Sequence, residues 1–265
     1  MDKILVPTDF SNNSKPGIRF AIRMAARNKA SLVFIHVENL KGDLEKSKGK
    51  LESFVQTIYQ SMRLEPVDVS FEVLKGFMAD ISILEYCAQH PDIDYICIST
   101  RGASFYNKIL GTNTSNLIEK STVPVIAIPN NYRVKPLNNL LYATDLVNLE
   151  AELQVVVDYA RPKGLSIEIL HFTSPSTFNL QEKLNESLEV KMNYPLKIRI
   201  IKNDNSHSLL KNLQHQIDKI KPSMVCLFTN NNRSFFEKIF LSSLTEDVSY
   251  QTNVPILAYK KLKSL

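Results

Sequence analysis

The stretch ILVPTD at residues 4–9 recurs as LLYATD at residues 140–145, and this repetition decides the fold. The two copies stand 136 residues apart. In both, a short apolar run ends in Thr-Asp, a pattern typical of a buried strand that leads into a turn. Similarity within one chain at a fixed shift indicates a duplicated structural unit.

Three further segments repeat in the same order, with shifts of 135, 129 and 131 residues: LVFIH at 32–36 with IEILH at 167–171, YICIST at 95–100 with MVCLFT at 224–229, and TVPVI at 122–126 with NVPIL at 253–257. Between the copies lies PNNYRVKP at 129–136, a polar stretch with a proline at each end, as expected of a linker. A chain of 265 residues suits two domains. The sequence therefore predicts domains at 1–130 and 137–265.

Short apolar runs alternate with helical patterns within each copy. The first copy has five predicted strands, at 4–6, 32–35, 67–73, 95–98 and 125–128. A helical apolar stripe follows the first strand of each copy: Ile18, Ala21, Ile22 and Ala25 in one, and Leu149, Leu153, Val156, Val157 and Ala160 in the other. Strands that alternate with helices predict right-handed crossovers and a buried parallel sheet. The predicted fold class is α/β, in two tandem open parallel-sheet domains.

Composition narrows the class of protein. The chain is 44% hydrophobic and 22% charged, as in ordinary globular proteins, and no apolar run reaches the length of a membrane helix. The three cysteines show no CxxC spacing, so we expect no disulfide framework and no metal site. The N-terminal residues do not form a signal peptide pattern. We therefore expect a cytoplasmic protein without a membrane partner.

The net charge of +5 is spread along the chain, and the densest basic cluster is Lys260, Lys261 and Lys263. We interpret this cluster as a solvated tail. No aromatic residues alternate with basic ones, as a surface for stacking bases would require, so we expect no nucleic-acid partner.

The segments LVPTDFS at 5–11, HVENL at 36–40 and 99–129 make the first copy resemble a universal stress protein domain. This resemblance extends through the second copy and implies a five-stranded parallel sheet in each. It also implies an ATP-binding signature, G-x2-G-x9-G-[S/T], after the fourth strand. Domains of this family pair through their last strands, so a tandem chain is expected to form an internal pseudo-dimer. Dimerisation of whole chains is left open.

The signature is incomplete in the first copy. Gly102 stands at its second glycine and Gly111-Thr112 at its end, but Ser99 takes the place of the first glycine. Eight residues rather than nine separate Gly102 from Gly111. We expect the Ser99 side chain to crowd the strand exit and to weaken phosphate contacts. In the second copy Ser242-Ser243 replaces the final pair, and the signature is lost.

The resemblance implies an adenine-nucleotide site formed by six residues: Asp9, Gly102, Gly111, Thr112, Asn113 and Thr114. Glycines let backbone N–H groups approach phosphate oxygens, and a helix that begins at Thr112 adds a hydroxyl and its N-terminus. Two alternatives stay open. Gly111-Thr112 is also typical of a turn followed by a helix cap, and Asp9 and Asp145 both suit a loop-capping function.

No residue pattern predicts catalysis. The chain lacks GxxxxGK[ST], GxGxxG and GxSxG, so we assign no catalytic residue and expect at most slow ATP hydrolysis. His36 and His171 end equivalent strands without metal-ligand spacing, and we interpret them as structural.

Three functions remain. The leading hypothesis is a regulatory module that binds ATP or another adenine nucleotide in the first domain, with a degenerate second domain and a protein partner still to be named. The alternative is a stress-response scaffold that binds no nucleotide. An enzyme of the wider adenine-nucleotide α-hydrolase-like group is disfavoured because it would need a catalytic motif after the first or fourth strand.

Overall fold

The structure is a computed structural model that describes residues 1–64, 67–100, 112–173, 181–204, 206–229 and 253–261. For residues 112, 113 and 181–186 it describes the backbone alone.

Strands and helices alternate along the chain as predicted. The first half contains β1 Lys3–Pro7, a 3-10 turn Asn12–Ser14, α1 Lys15–Asn28, β2 Ser31–Glu38, α2 Leu44–Met62, β3 Val69–Lys75, α3 Ala79–Gln89, β4 Tyr95–Ser99, α4 Thr112–Lys120 and β5 Val125–Ile128. The second half contains β6 Asn139–Ala143, α5 Leu149–Ala160, a 3-10 turn Arg161–Lys163, β7 Ser166–Thr173, α6 Gln181–Met192, β8 Leu196–Lys202, α7 Leu209–Ile220, β9 Met224–Thr229 and β10 Ile256–Lys260. All five predicted strands of the first copy are present.

The ten strands form one sheet in the order β3-β2-β1-β4-β5-β10-β9-β6-β7-β8. Strands within each half are parallel, whereas β5 and β10 pair antiparallel at the centre. The second half thus repeats the strand order of the first in reverse, as a pseudo-two-fold axis requires. The α/β fold class and the predicted contact between the last strands are both confirmed.

The central seam joins Val125, Ile126 and Ala127 of β5 to Ala258, Leu257 and Ile256 of β10. Each strand begins directly after the proline of its repeated segment: β5 follows Pro124 of VPV, and β10 follows Pro255 of VPI. Proline has no N–H to donate to a strand ladder, which is why the pairing starts beyond it. The proline carbonyls are still used, since they accept from the amides of Ile96 and Val225, at 2.9 Å in both cases.

The apolar core has two layers, one on each face of the sheet. Helices α1, α2, α5 and α6 cover one face, and α3, α4 and α7 cover the other. Both layers continue across the seam, because alternate residues of β5 and β10 point to opposite faces: Ile126, Ile128, Leu257 and Tyr259 to one, and Val125, Ala127, Ile256 and Ala258 to the other. The predicted stripe of α1 is fully buried in the first layer.

Polar contacts join the halves beside the seam. The Lys163 side chain is 5% exposed and pairs with Asp2, with 2.8 Å between Nζ and Oδ2. The same ammonium lies over the rings of Tyr159 and Tyr95. Arg27 donates to the carbonyl of Leu137 at 2.7 Å. These contacts fix the start of the chain and α1 to the second half.

Cys87, Cys97 and Cys226 are buried free thiols. Burial raises the pKa of the Cys87 thiol to about 11. Among the helices that the structure describes, none has the length and apolar character needed to cross a membrane.

Helix α1 rests directly on the backbone of β4 at Gly17. A Cβ atom built on Gly17 would lie 2.8 Å from Ser99 Oγ and 2.9 Å from Ser99 N. Contacts of this length are shorter than van der Waals distances, so only glycine lets the helix lie this close to the strand. Gly49 in α2 is the opposite case, since a Cβ there meets no atom within 4 Å.

We predict opposite effects for one substitution at these two glycines. Gly17→Ala should lower the free energy of unfolding by about 1–3 kcal/mol, because α1 must move away from β4. Gly49→Ala should raise it by about 0.5–1 kcal/mol, because alanine favours an exposed helix interior. Urea denaturation of both variants and the parent measures the difference. Equal effects at the two positions would contradict the close contact at Gly17.

Candidate ligand clefts

Two equivalent clefts lie at the carboxyl ends of the strands, where the strand order changes direction. In the first half, the cleft of about 260 Å³ lies above β1 and β4. In the second, the cleft of about 230 Å³ lies above β6 and β9. This crevice is where open parallel sheets bind their ligands. Because the halves meet antiparallel, the two clefts open at opposite edges of the sheet.

The first cleft begins at the turn between β1 and α1. Asp9 Oδ1 accepts from the Ser11 amide at 3.0 Å and from Ser11 Oγ at 2.5 Å. Thr8 Oγ1 accepts from the Phe10 amide at 3.1 Å and lies 2.8 Å from Ser14 Oγ. Phe10 is held in the left-handed region at φ 63°, which a side chain rarely adopts. The turn therefore presents a carboxylate and three hydroxyl groups to the cleft.

The second half repeats the two amide bonds and the left-handed residue of this turn. Asp145 Oδ1 accepts from the Val147 amide at 3.0 Å, Thr144 Oγ1 accepts from the Leu146 amide at 2.9 Å, and Leu146 has φ 66°. Asp9 and Asp145 therefore each cap their loop through Oδ1, and whether Asp9 also binds a ligand stays a prediction.

His36 and His171 support these turns from the neighbouring strand. His36 Nδ1 lies 2.9 Å from the carbonyl oxygen of Thr8, and His171 Nδ1 lies 2.9 Å from that of Thr144. With a carbonyl as acceptor, Nδ1 carries the proton and donates. The structural interpretation of the two histidines is confirmed, and each also lines its cleft.

Residues 1–129 match the model of the Universal stress protein family. Residues 1–129 therefore form a domain of this family. No curated protein matches the chain.

Solved structures extend the likeness in fold to the whole chain. A universal stress protein from Archaeoglobus fulgidus DSM 4304 is 16% identical, with a TM-score of 0.72 over 97% of this chain and 98% of that one. A functionally unknown protein from Pseudomonas aeruginosa PAO1 is 13% identical, with a TM-score of 0.63 over 98% and 92%. The cytoplasmic domain of a prokaryotic cation chloride cotransporter is 12% identical, with a TM-score of 0.53 over 97% and 94%. At these identities the comparisons show the fold alone.

Ser99, which replaces the first glycine of the universal stress protein signature, has a structural function. Its Oγ accepts from the Gly17 amide at 2.7 Å and lies 3.1 Å from the carbonyl of Ser14, to which it donates. The side chain thus points toward the start of α1 and joins this helix to β4. The sequence analysis missed this bond, which gives an amide in the first turn of α1 its partner. Ser99 also lines the first cleft, so its expected effect on phosphate contacts stays a prediction.

The remaining predicted site residues are placed as follows. Thr114, buried in α4, donates through Oγ1 to the carbonyl of Ser99 at 3.4 Å and lines the first cleft with Asp9. Thr112 and Asn113 form the start of α4, which the structure describes as backbone. Gly102 and Gly111 lie outside the described residues. The structure therefore brings Asp9 and Thr114 to one cleft and leaves the glycine loop as a prediction.

The opposite wall of the first cleft is held by a buried carboxylate. Asp80, in the first turn of α3, is 1% exposed and accepts from Asn116 of α4, with 2.7 Å between Oδ2 and Nδ2. This bond ties α3 to α4, and Ala79 and Ile83 of α3 line the cleft beside it. Sequence patterns gave no signal for this contact, because it joins residues 36 positions apart.

Two charged residues of the second cleft were missed. Lys261 was interpreted as part of a solvated tail, yet its side chain is 9% exposed and forms an ion pair with Asp145. This interpretation is wrong for Lys261, although Lys260 is exposed. Glu152 is 1% exposed in α5. Its position three residues after Leu149 and four before Val156 places a carboxyl on the apolar stripe, a signal that the sequence does contain.

We predict that Ser99 contributes to stability through its hydroxyl. Ser99→Ala should lower the free energy of unfolding by about 1–3 kcal/mol, because the Gly17 amide loses its acceptor in a half-buried place. Ser70→Ala, an exposed serine of β3, should change it by less than about 0.5 kcal/mol. Thermal and urea denaturation of both variants test this. A Ser99 variant as stable as the Ser70 control would mean that the hydroxyl bond is dispensable.

Proposed function

We propose that the first cleft binds ATP or another adenine nucleotide and that the chain acts as a regulatory binding module of the universal stress protein family. The observation that carries the proposal is the polar first cleft at the switch in strand order, where Asp9, the hydroxyls of the β1 turn and Thr114 of α4 line one space. Family membership supports it, because the first half retains Gly102, Gly111 and Thr112 of the nucleotide signature.

The chemistry of the cleft fits the nucleoside best. Carboxylate and hydroxyl groups accept and donate hydrogen bonds to ribose hydroxyls and to the edge of a base. Among the described residues that line this cleft, Asp9 is the one acidic group and no lysine or arginine is present. Phosphates would therefore depend on backbone N–H groups at the glycine loop and at the start of α4.

In this proposal the linker separates a binding domain at 1–130 from a supporting domain at 137–265. The two edges that the domains would expose alone are paired at the seam, so the second domain has a structural use even without a ligand. Three buried free thiols fit action in the reducing cytoplasm.

We predict one nucleotide site per chain. Calorimetric titration of the purified protein with ATP should give a stoichiometry of one, and denaturation of untreated protein tests for nucleotide that copurifies. Asp9→Asn should weaken binding about tenfold or more, because one charge-assisted hydrogen bond is worth about 1.5–3 kcal/mol. Asp145→Asn, its equivalent in the second half, should leave the affinity unchanged.

A stoichiometry of two, or equal losses in the two aspartate variants, would contradict this assignment. If the folded parent neither copurifies with nucleotide nor binds ATP, the scaffold that binds no nucleotide becomes the better description.

The glycine loop has its own test. Gly111→Val should abolish ATP binding, because a β-branched side chain would occupy the space of a phosphate. Ser242→Val, the matching change in the second copy, should not alter binding. Equal affinity of the Gly111 variant and the parent would move the site away from the loop.

A further inference from the structure

The second cleft is lined by the charged side chain of Lys261. Lys261 follows β10, and its amide extends the ladder by donating to the carbonyl of Thr229 at 3.0 Å. From there the side chain crosses the carboxyl end of the sheet and places its ammonium on the carboxylate of Asp145. Burial opposes ionisation of this carboxyl, but the hydrogen bond from Lys261 and the Val147 amide hold the pKa of Asp145 below its usual value.

A second carboxyl lies deeper in the same cleft. Glu152 Oε2 accepts from the Tyr142 hydroxyl at 2.7 Å, while Oε1 is buried without a hydrogen-bond partner among the described residues. Burial raises the pKa of Glu152 above its usual value, and the Tyr142 hydrogen bond and the positive charge of Lys261 offset only part of this rise. A buried carboxylate oxygen without a partner favours a cation nearby, because the remaining charge is otherwise costly.

Both charged groups are absent from the first cleft. Counting back by the 135-residue shift that aligns the buried stripes of α1 and α5, Gly17 stands where the second half has Glu152, and by the 131-residue shift of the last strands Asn130 stands where it has Lys261. The threonine, aspartate and histidine of the shared turn line both clefts. The second cleft therefore differs from the first by both Glu152 and Lys261. Two opposite charges that occur together in one cleft suit an interacting pair.

We propose that the second cleft is an ammonium-binding site whose occupant is the chain's own Lys261, and whose acidic lining excludes phosphate ligands. The ligand class is a primary alkylammonium group. One N–H of the ammonium donates to the Asp145 carboxylate, and the positive charge of the ammonium also acts on Glu152. Lys261 lines the cleft together with the apolar residues Leu170, Leu213 and Leu227, a lining that suits the methylene stem of an alkylammonium group. This proposal does not depend on nucleotide binding in the first cleft.

The test removes the Lys261 side chain in the full chain and measures whether an added alkylammonium salt restores the stability. Lys261→Ala should lower the Tm by about 3–8 °C, since it leaves two carboxyl groups without their cation. Lys260→Ala, the neighbouring exposed lysine, is the matched control and should lower it by less than about 1 °C. Added n-propylammonium chloride should then raise the Tm of Lys261→Ala in a concentration-dependent manner, because a ligand that binds the folded state stabilises it.

Tetramethylammonium chloride at the same concentration supplies the charge and ionic strength without an N–H donor, and it should not rescue. Equal rescue by both salts, or a Lys261 variant as stable as the Lys260 control, would overturn the proposal. If Lys261→Ala fails to fold, Lys261→Met replaces it, because methionine keeps the apolar stem. The Tm of Lys261→Met is then compared with that of the double variant Lys261→Met with Glu152→Gln. That double variant should be more stable than Lys261→Met alone, and a less stable one would overturn the charge pairing.

The alternative that Lys261 only blocks the second cleft sterically predicts a different result for ATP binding. If Lys261 only fills space, its removal should open a second ATP site in calorimetry. An ammonium-selective cleft predicts no ATP binding in the second half of Lys261→Ala, because Asp145 and Glu152 remain and repel phosphate. A new ATP site in this variant would overturn the proposal, whatever the first cleft binds.

Discussion

Three residue pairs join β5 to β10, and through them two five-stranded sheets become one sheet of ten strands. Each half alone would expose a long apolar edge at this strand, which is a template for pairing with other chains. The antiparallel pairing removes both edges and carries the two core layers across the centre. The two outer strands of the ten-stranded sheet are β3 and β8. Their sequences include charged residues, such as Glu72 and Arg199, that suit sheet edges.

The direction of this pairing also determines where the clefts lie. Because parallel strands end at one edge of a sheet and the halves run in opposite directions, the clefts face away from each other. Each cleft is built from loops of its own half, and the same turn with a left-handed residue supports both. The differences lie above that shared turn: Ser99 and Thr114 in the first half, Glu152 and Lys261 in the second.

The sequence predicted the elements that depend on local pattern. The repeat, the five strands of the first copy, the buried stripe of α1 and the contact between the last strands all follow from periodicity, duplication and family resemblance. It did not predict contacts between distant side chains. The hydroxyl of Ser99 bonds to Gly17 across 82 positions, and Lys261 reaches Asp145 across 116. Such pairs depend on the three-dimensional path of the chain, which a pattern within one segment does not contain.

The opposed clefts give the duplicated chain a particular freedom to evolve. Among the described residues the two clefts share no lining residue, so either half can acquire a new preference while the other keeps the old one. The seam is the part that both copies must preserve, because its pairing and core serve both at once. The linings of the two clefts are therefore free to differ, while the paired strands at the centre keep the fold the same.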